Sequence, residues 1–160
     1  MLIREAAAGD WPHIWPFWHR IVAAGETYAW DPETSEEEAR ALWMNPAKRV
    51  FVAEDDSGAV VASAYLTPNY GGPAARIANA GFMVDPGRAG RGTGRALAEY
   101  VLDAARADGY RGMVFNAVVE TNPAVRLWTS LGFTILGTVP DAFDHPRHGR
   151  VGLHVMHRAL

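Results

Sequence analysis

From Gly87 to Arg95 the chain reads G-R-A-G-R-G-T-G-R, four glycines and three arginines in nine residues. An apolar run ending at Val84 precedes this stretch, and "ALAEYVLDAARA" follows it with the spacing of a helix. Glycine reaches backbone angles closed to other residues and lets a ligand come close to the main chain. The first turn of a helix carries N–H groups without intrahelical acceptors, together with the positive end of the helix dipole. A strand, a glycine loop and a helix start in that order therefore predict a seat for an anion with several oxygens, a pyrophosphate above all. Arg88, Arg91 and Arg95 add forked donors suited to such oxygens.

Two familiar phosphate loops are excluded by their residues. The P-loop pattern G-x-x-x-x-G-K-[ST] finds its glycines at Gly87 and Gly92, but Thr93 stands where the lysine must be. Lys48 is the sole lysine of the chain, so no other lysine can substitute. The dinucleotide pattern G-x-G-x-x-G starts at Gly90 and Gly92, but its third glycine falls on Arg95. What survives is anion binding by backbone amides, without lysine.

Around the loop the pattern predicts seven strands and four helices. "LIREA" (2–6) is a first strand. Asp10 is expected to cap a helix through "WPHIWPFWHRIVAAG" to Gly25, kinked or split at Pro16. "SEEEARALW" opens on a capping box at Ser35. "RVFVAEDD" and "VVASAYLTPN" form a hairpin around Ser57-Gly58. "RIANAGFMVD" (76–85) is the strand before the loop, and Gly109 ends the helix after it. "RGMVFNAVV" is a strand and "NPAVRLWTSLGF" a short helix and turn. "FTILGTV" and "RVGLHVMHRAL" are the last strands, with "DHPRHGR" a loop between them. The expectation is a single α/β (α+β) domain over residues 1–160, with a mixed sheet and one parallel crossover.

Composition removes other classes. The chain has no cysteine, which excludes disulfides, thiolate metal sites and a cysteine nucleophile. Its net charge of −3 argues against nucleic acid as partner. No apolar run has the length of a membrane span, and "MLIREAAAGD" lacks the pattern of a signal peptide, so the expected compartment is the cytoplasm.

"GFMVDP", "GRGTGRAL" and, after a further strand, "ETNPAVRLWTSLGF" together resemble the acetyl-CoA-binding core of the GCN5-related N-acetyltransferase superfamily. The resemblance runs from Arg76 to Leu136, and the elements before it fit as well. It implies acetyl-CoA as acyl donor and no metal. It implies that Phe82, Met83 and Val84 line the pantetheine arm, and that Arg88, Ala89, Gly90, Arg91, Gly92, Thr93, Gly94 and Arg95 hold the pyrophosphate. Asn122 and Trp128 complete the cofactor side. Trp128 stands where the family commonly has a tyrosine that protonates the leaving thiolate, a task an indole cannot readily perform.

"NAGF", "VFNAVVETN" and "RLW…LGF" are similar to acetyltransferases of L-azetidine-2-carboxylate and related proline analogues, and "GETYAWDPETSEEEA" looks like the substrate-side segment of the phosphinothricin-type enzymes. The likeness implies a small amine or imino acid as acceptor. It makes Asn79 and Asn116 the catalytic, substrate-orienting residues, and sets Glu26, Thr27, Tyr28 and Phe82 around the acceptor, with Glu26 as a remote base; His145, in the loop before the last strand, is expected at the mouth of the substrate site. Relatives of this kind commonly pair as homodimers. An N–H of the strand near Phe82 to Val84 is expected to meet the thioester carbonyl, with Gly81 marking a bulge or a close ligand approach. The likeness leaves two rivals open, a non-catalytic acyl-CoA sensor and a protein-modifying acetyltransferase. His145 and His148 have no metal spacing, and Trp11, Trp15, Phe17 and Trp18 read as core.

Overall fold

The computed structural model describes residues Met1–Leu160. Seven strands form one sheet: β1 (Leu2–Glu5), β2 (Arg49–Glu54), β3 (Val60–Pro68), β4 (Ile77–Val84), β5 (Gly112–Val119), β6 (Thr134–His145) and β7 (Gly149–Ala159). Their spatial order is β1-β2-β3-β4-β5-β7-β6. Every neighbouring pair is antiparallel except β4 and β5, which are parallel and joined through the helix after the glycine loop. Four helices cover the sheet: α1 (Trp11–Ala24), α2 (Glu36–Trp43), α3 (Thr93–Ala107) and α4 (Ala124–Ser130). None is long and apolar enough to cross a membrane.

Side chains alternate across the sheet, as strand geometry requires. In β2, Phe51 and Ala53 join the core under α3 and α4, while Val50 and Val52 join the one under α1 and α2. Both faces are thus buried, which is why β2 and β3 read as near-continuous apolar runs.

The start of α1 departs from expectation. Asp10 has helical angles and makes no capping bond to the helix. Its carboxylate instead accepts from the Ala7 N–H at 2.7 Å and from the Arg4 guanidinium at 2.8 and 2.9 Å, with Arg4 also gripping Glu54. Asp10 therefore ties the helix entrance to the sheet edge. Pro16 neither splits nor ends α1, which continues to Ala24. An interior proline costs about 3 kcal/mol, and burial of Ile14, Phe17, Trp18 and Val22 on one face offsets it at about 1.5–3 kcal/mol per side chain.

The last hairpin is longer than expected, because β6 runs on through Pro140 to His145. A strand at the edge of a sheet tolerates proline, having no ladder partner on its outer side. Two irregularities in its register, one of them holding Asp141 at φ 51°, let the strand bend without leaving β7. The expected loop "DHPRHGR" is thus mostly strand end and turn.

Candidate active site

β4 and β5 pair only at Ile77 with Gly112 and Ala78 with Met113; beyond that point they share no further rungs. The opening between them is the central feature of the molecule. Register with β3 decides what β4 turns toward it. The bonds Asp85 N–H to Val61 C=O and Asn69 N–H to Ile77 C=O place the odd-numbered residues of β4 against β3. The main-chain groups of Phe82 and Val84 therefore face the opening. Met83, expected on the cofactor side, does not: its backbone lies opposite Ser63, and its side chain is buried among the aromatic residues of α1.

At one end of the opening lies the glycine loop. Gly90 and Gly92 both have φ +80°, and a Cβ at either would meet nothing within 4 Å, so the space above the loop is open. No backbone N–H from Ala89 through Arg95 donates to a protein acceptor. This unbroken run of free donors at the head of α3 matches an anion with several oxygens, such as a pyrophosphate. The arginines contribute unequally. Arg88 is turned back onto Asp55 of the β2–β3 hairpin, and Arg95 donates to Ser130 Oγ at 2.6 Å while pairing with Glu99. Arg91 has no partner, is exposed, and is the one loop arginine left for an incoming charge. Thr93 is buried, and Gly94 lies where a Cβ would come within 3.5 Å of Val84 and 3.8 Å of Leu127, so the helix seats closely on β4.

At the other end is a cleft of about 210 Å³. Its walls come from the α1–α2 connection (Thr27 to Trp30), from Tyr65, from β4 (Asn79 to Phe82), from β5 (Phe115 to Val118), and from Asn122, Ala124 and Trp128. None of these side chains carries a charge. The proximity of Thr27, Tyr28, Asn79, Phe82, Asn116, Asn122 and Trp128 is as expected from sequence. Asn122 Oδ1 accepts the Ala124 N–H at 2.9 Å and so begins α4. Trp128 packs against Phe82 and Phe115, with ring centroids 4.9 Å away in each case.

The two asparagines are already engaged, each with capacity to spare. Asn79 Nδ2 donates to Val114 C=O at 2.9 Å, bridging the mouth of the opening, and its Oδ1 accepts from the Tyr65 hydroxyl at 3.3 Å. Asn116 exchanges amide bonds with Asn69 at 2.7 and 3.1 Å. A primary amide has two donors and two acceptor sites, so each retains one of both for a ligand.

Gly81 has a different purpose from the one expected. It lies directly opposite Tyr65, and a Cβ there would sit 2.3 Å from the Tyr65 ring. The close approach is by a side chain, and the β3–β4 register shows no bulge. Lys48 serves the same tyrosine: its Nζ lies 4.0 Å over the Tyr65 ring and donates to Leu42 C=O, and burial lowers its pKa.

Tyr28 was expected near the acceptor but not at the place it holds. Its hydroxyl donates to Phe82 C=O at 2.7 Å and accepts from Phe82 N–H at 2.9 Å. The Phe82 amide, one of those from Phe82 to Val84 expected to meet a thioester directly, is therefore occupied. Burial raises the Tyr28 phenol far above its ordinary pKa. Fifty-four positions separate the two residues, and no local pattern announces the contact.

Glu26 and His145 lie outside the lining. Glu26 pairs with Arg147 at 3.1 Å, joining the α1–α2 connection to the β6–β7 turn. His145 is buried at that turn, its Nδ1 accepting the N–H groups of Arg147 and His148. No cluster of histidine and acidic side chains is arranged to hold a metal.

Comparison with known proteins agrees with this geometry. Residues 15–133 match the family model described as the acetyltransferase (GNAT) family. N-acetyltransferase aca1 of Schizosaccharomyces pombe is 32% identical over 137 residues, which cover 76% of this chain and 66% of that protein. The chain thus spans slightly under two thirds of the length of that curated relative. A GCN5-related N-acetyltransferase from Kribbella flavida is 55% identical with a TM-score of 0.96, covering 99% of this chain and 97% of that one. A phosphinothricin acetyltransferase of the GNAT superfamily from Sinorhizobium meliloti, solved in complex with acetyl-CoA, is 25% identical with a TM-score of 0.86, covering 99% and 88%. The chain belongs to the acetyltransferase (GNAT) family.

Proposed function

We propose that the protein is an acetyl-CoA-dependent N-acetyltransferase that acylates the amine of a small metabolite, with amino and imino acids, proline analogues among them, as the first candidates. One observation carries the reading. The free N–H groups from Ala89 to Arg95, the open edge of β4 and the charge-free cleft follow one another along a single line of structure. An acyl donor with a pyrophosphate, an amide-bearing arm and a thioester at its end has its groups in that order. Such a relative binds acetyl-CoA in a similar fold.

In this reading the loop amides and Arg91 hold the pyrophosphate, and Val84 pairs with the arm as a neighbouring strand would. The bound donor supplies an activated acetyl group. Asn79 and Asn116 orient the acceptor through their remaining amide valences. No carboxylate or imidazole lines the cleft, so the amine's proton leaves through solvent. Thiols ionise near pH 8.5, so the leaving group needs little acid assistance and the indole of Trp128 is tolerated. Proximity supplies the larger share of the acceleration. We also propose that two chains pair through β6, an edge strand exposed along most of its length, with Ile135, Leu136 and Val139 in the open.

Incubation of the purified protein with acetyl-CoA, a panel of amino and imino acids and a thiol-detecting reagent tests the assignment, with mass spectrometry of the products. Thiol release that depends on an amine is the expected result. A second reading, acyl-CoA binding without transfer, is favoured by the absence of a charged side chain in the cleft. Calorimetric binding without turnover on any amine would establish it instead.

A further inference from the structure

The Tyr28 hydroxyl occupies both main-chain groups that Phe82 turns toward the opening, where a neighbouring strand would otherwise pair. An acyl oxygen approaching Phe82 meets the phenol oxygen before the amide. A hydroxyl has one proton and two lone pairs. It can keep accepting from Phe82 N–H while its proton swings from Phe82 C=O to a better acceptor.

Building on the acetyl-transfer reading, we propose that the Tyr28 hydroxyl is the donor that meets the thioester carbonyl oxygen, polarised from behind by the Phe82 amide. The relay runs N–H to O–H to acyl oxygen. As the new C–N bond forms and charge gathers on that oxygen, the hydrogen bond shortens and strengthens. No proton is transferred, so the phenol ends each cycle as it began.

Three observations support the assignment. The ring is fixed: Trp30 stacks on it at 4.9 Å with 12° between planes, and Trp43 meets it edge-on. A donor held in place before charge develops costs no reorganisation during reaction. Burial keeps the phenol neutral, as a donor must be. The other phenol of the cleft, Tyr65, is turned to Asn79.

The test uses acetyl-CoA labelled with carbon-13 at the carbonyl and isotope-edited infrared spectroscopy of the bound thioester, which requires no acceptor. In the wild type the carbonyl band is expected below its position in water. In Tyr28→Phe most of that shift is lost, calorimetric affinity for acetyl-CoA is retained, and kcat on any amine the wild type acetylates falls about 100- to 1000-fold. A more acidic fluorotyrosine at position 28, of nearly the same shape, is expected to deepen the shift, and this holds whether or not Tyr28→Phe is fully stable. A shift retained in Tyr28→Phe, or a band indifferent to the fluorotyrosine, overturns the proposal. A wild type that gives no heat with acetyl-CoA overturns the acetyl-transfer reading and this proposal with it, whereas binding with an unshifted band overturns the Tyr28 role alone.

Discussion

Replacing Gly92 with valine probes the anion seat with little disturbance elsewhere. Gly92 has φ 80° and ψ 0° immediately before α3, and a Cβ there meets no heavy atom within 4 Å. There is no clash to relieve, so the cost to the fold is that of holding a β-branched residue in the left-handed region, about 1–2 kcal/mol. For a domain of this size that lowers Tm by about 2–8 °C. The effect on the ligand is larger. Either the loop flips to relieve φ and its amides no longer converge, or it holds and the valine methyls stand in the anion's space. A hydrogen bond to a charged acceptor contributes about 1.5–3 kcal/mol, so losing two weakens binding by about 3–6 kcal/mol, or roughly 150- to 20,000-fold. Titration calorimetry with acetyl-CoA measures the loss, and a thermal melt shows that the protein is folded. Affinity equal to wild type in a folded Gly92→Val protein refutes the loop as the anion's seat.

Other perturbations follow from the same geometry. Ser63→Ala removes the partner of Trp43 Nε1, 2.9 Å away and fully buried, and is expected to destabilise by about 1–3 kcal/mol in a urea titration. Asn79→Ala is expected to raise KM for the acceptor amine far more than for acetyl-CoA; equal effects would reject its part in acceptor binding. Arg4 holds the Asp10 carboxyl below its ordinary pKa, so its contribution to stability is present above about pH 4 and lost as pH falls through the lowered value. Asp10→Asn should therefore melt below wild type near neutrality, with the gap closing in acid.

What the sequence disclosed and what it hid divide along chain distance. The glycine loop, the capping box at Ser35 and the Ser57-Gly58 hairpin are written in neighbouring residues, and the structure has each in place. Asp10 looked like a cap because its local context is that of a cap; the guanidinium that claims it comes from β1. Gly81 announced a close approach, yet nothing local says that the approaching group is Tyr65 from the next strand. Arg88 and Arg95 looked available for an anion until the hairpin acid and Ser130 were brought beside them. The Tyr28–Phe82 bridge had no signal beyond a tyrosine in a loop.

That loop has one more consequence. From Gly25 to Ser35 the backbone forms neither helix nor strand, the kind of segment that usually adapts to whatever arrives. Here Trp30 is stacked between Trp18 and Tyr28, with centroids 5.4 and 4.9 Å away, so the ring column of α1 extends through the segment to the cleft. It is a coil by its backbone and masonry by its side chains. Its amides from Glu26 to Asp31 have no acceptor and should exchange with deuterium readily while the rings hold their places, and enlarging the range of acceptors by engineering should begin on the β5 side, where Asn116 and Ala117 stand exposed and no such ring column would have to be rebuilt.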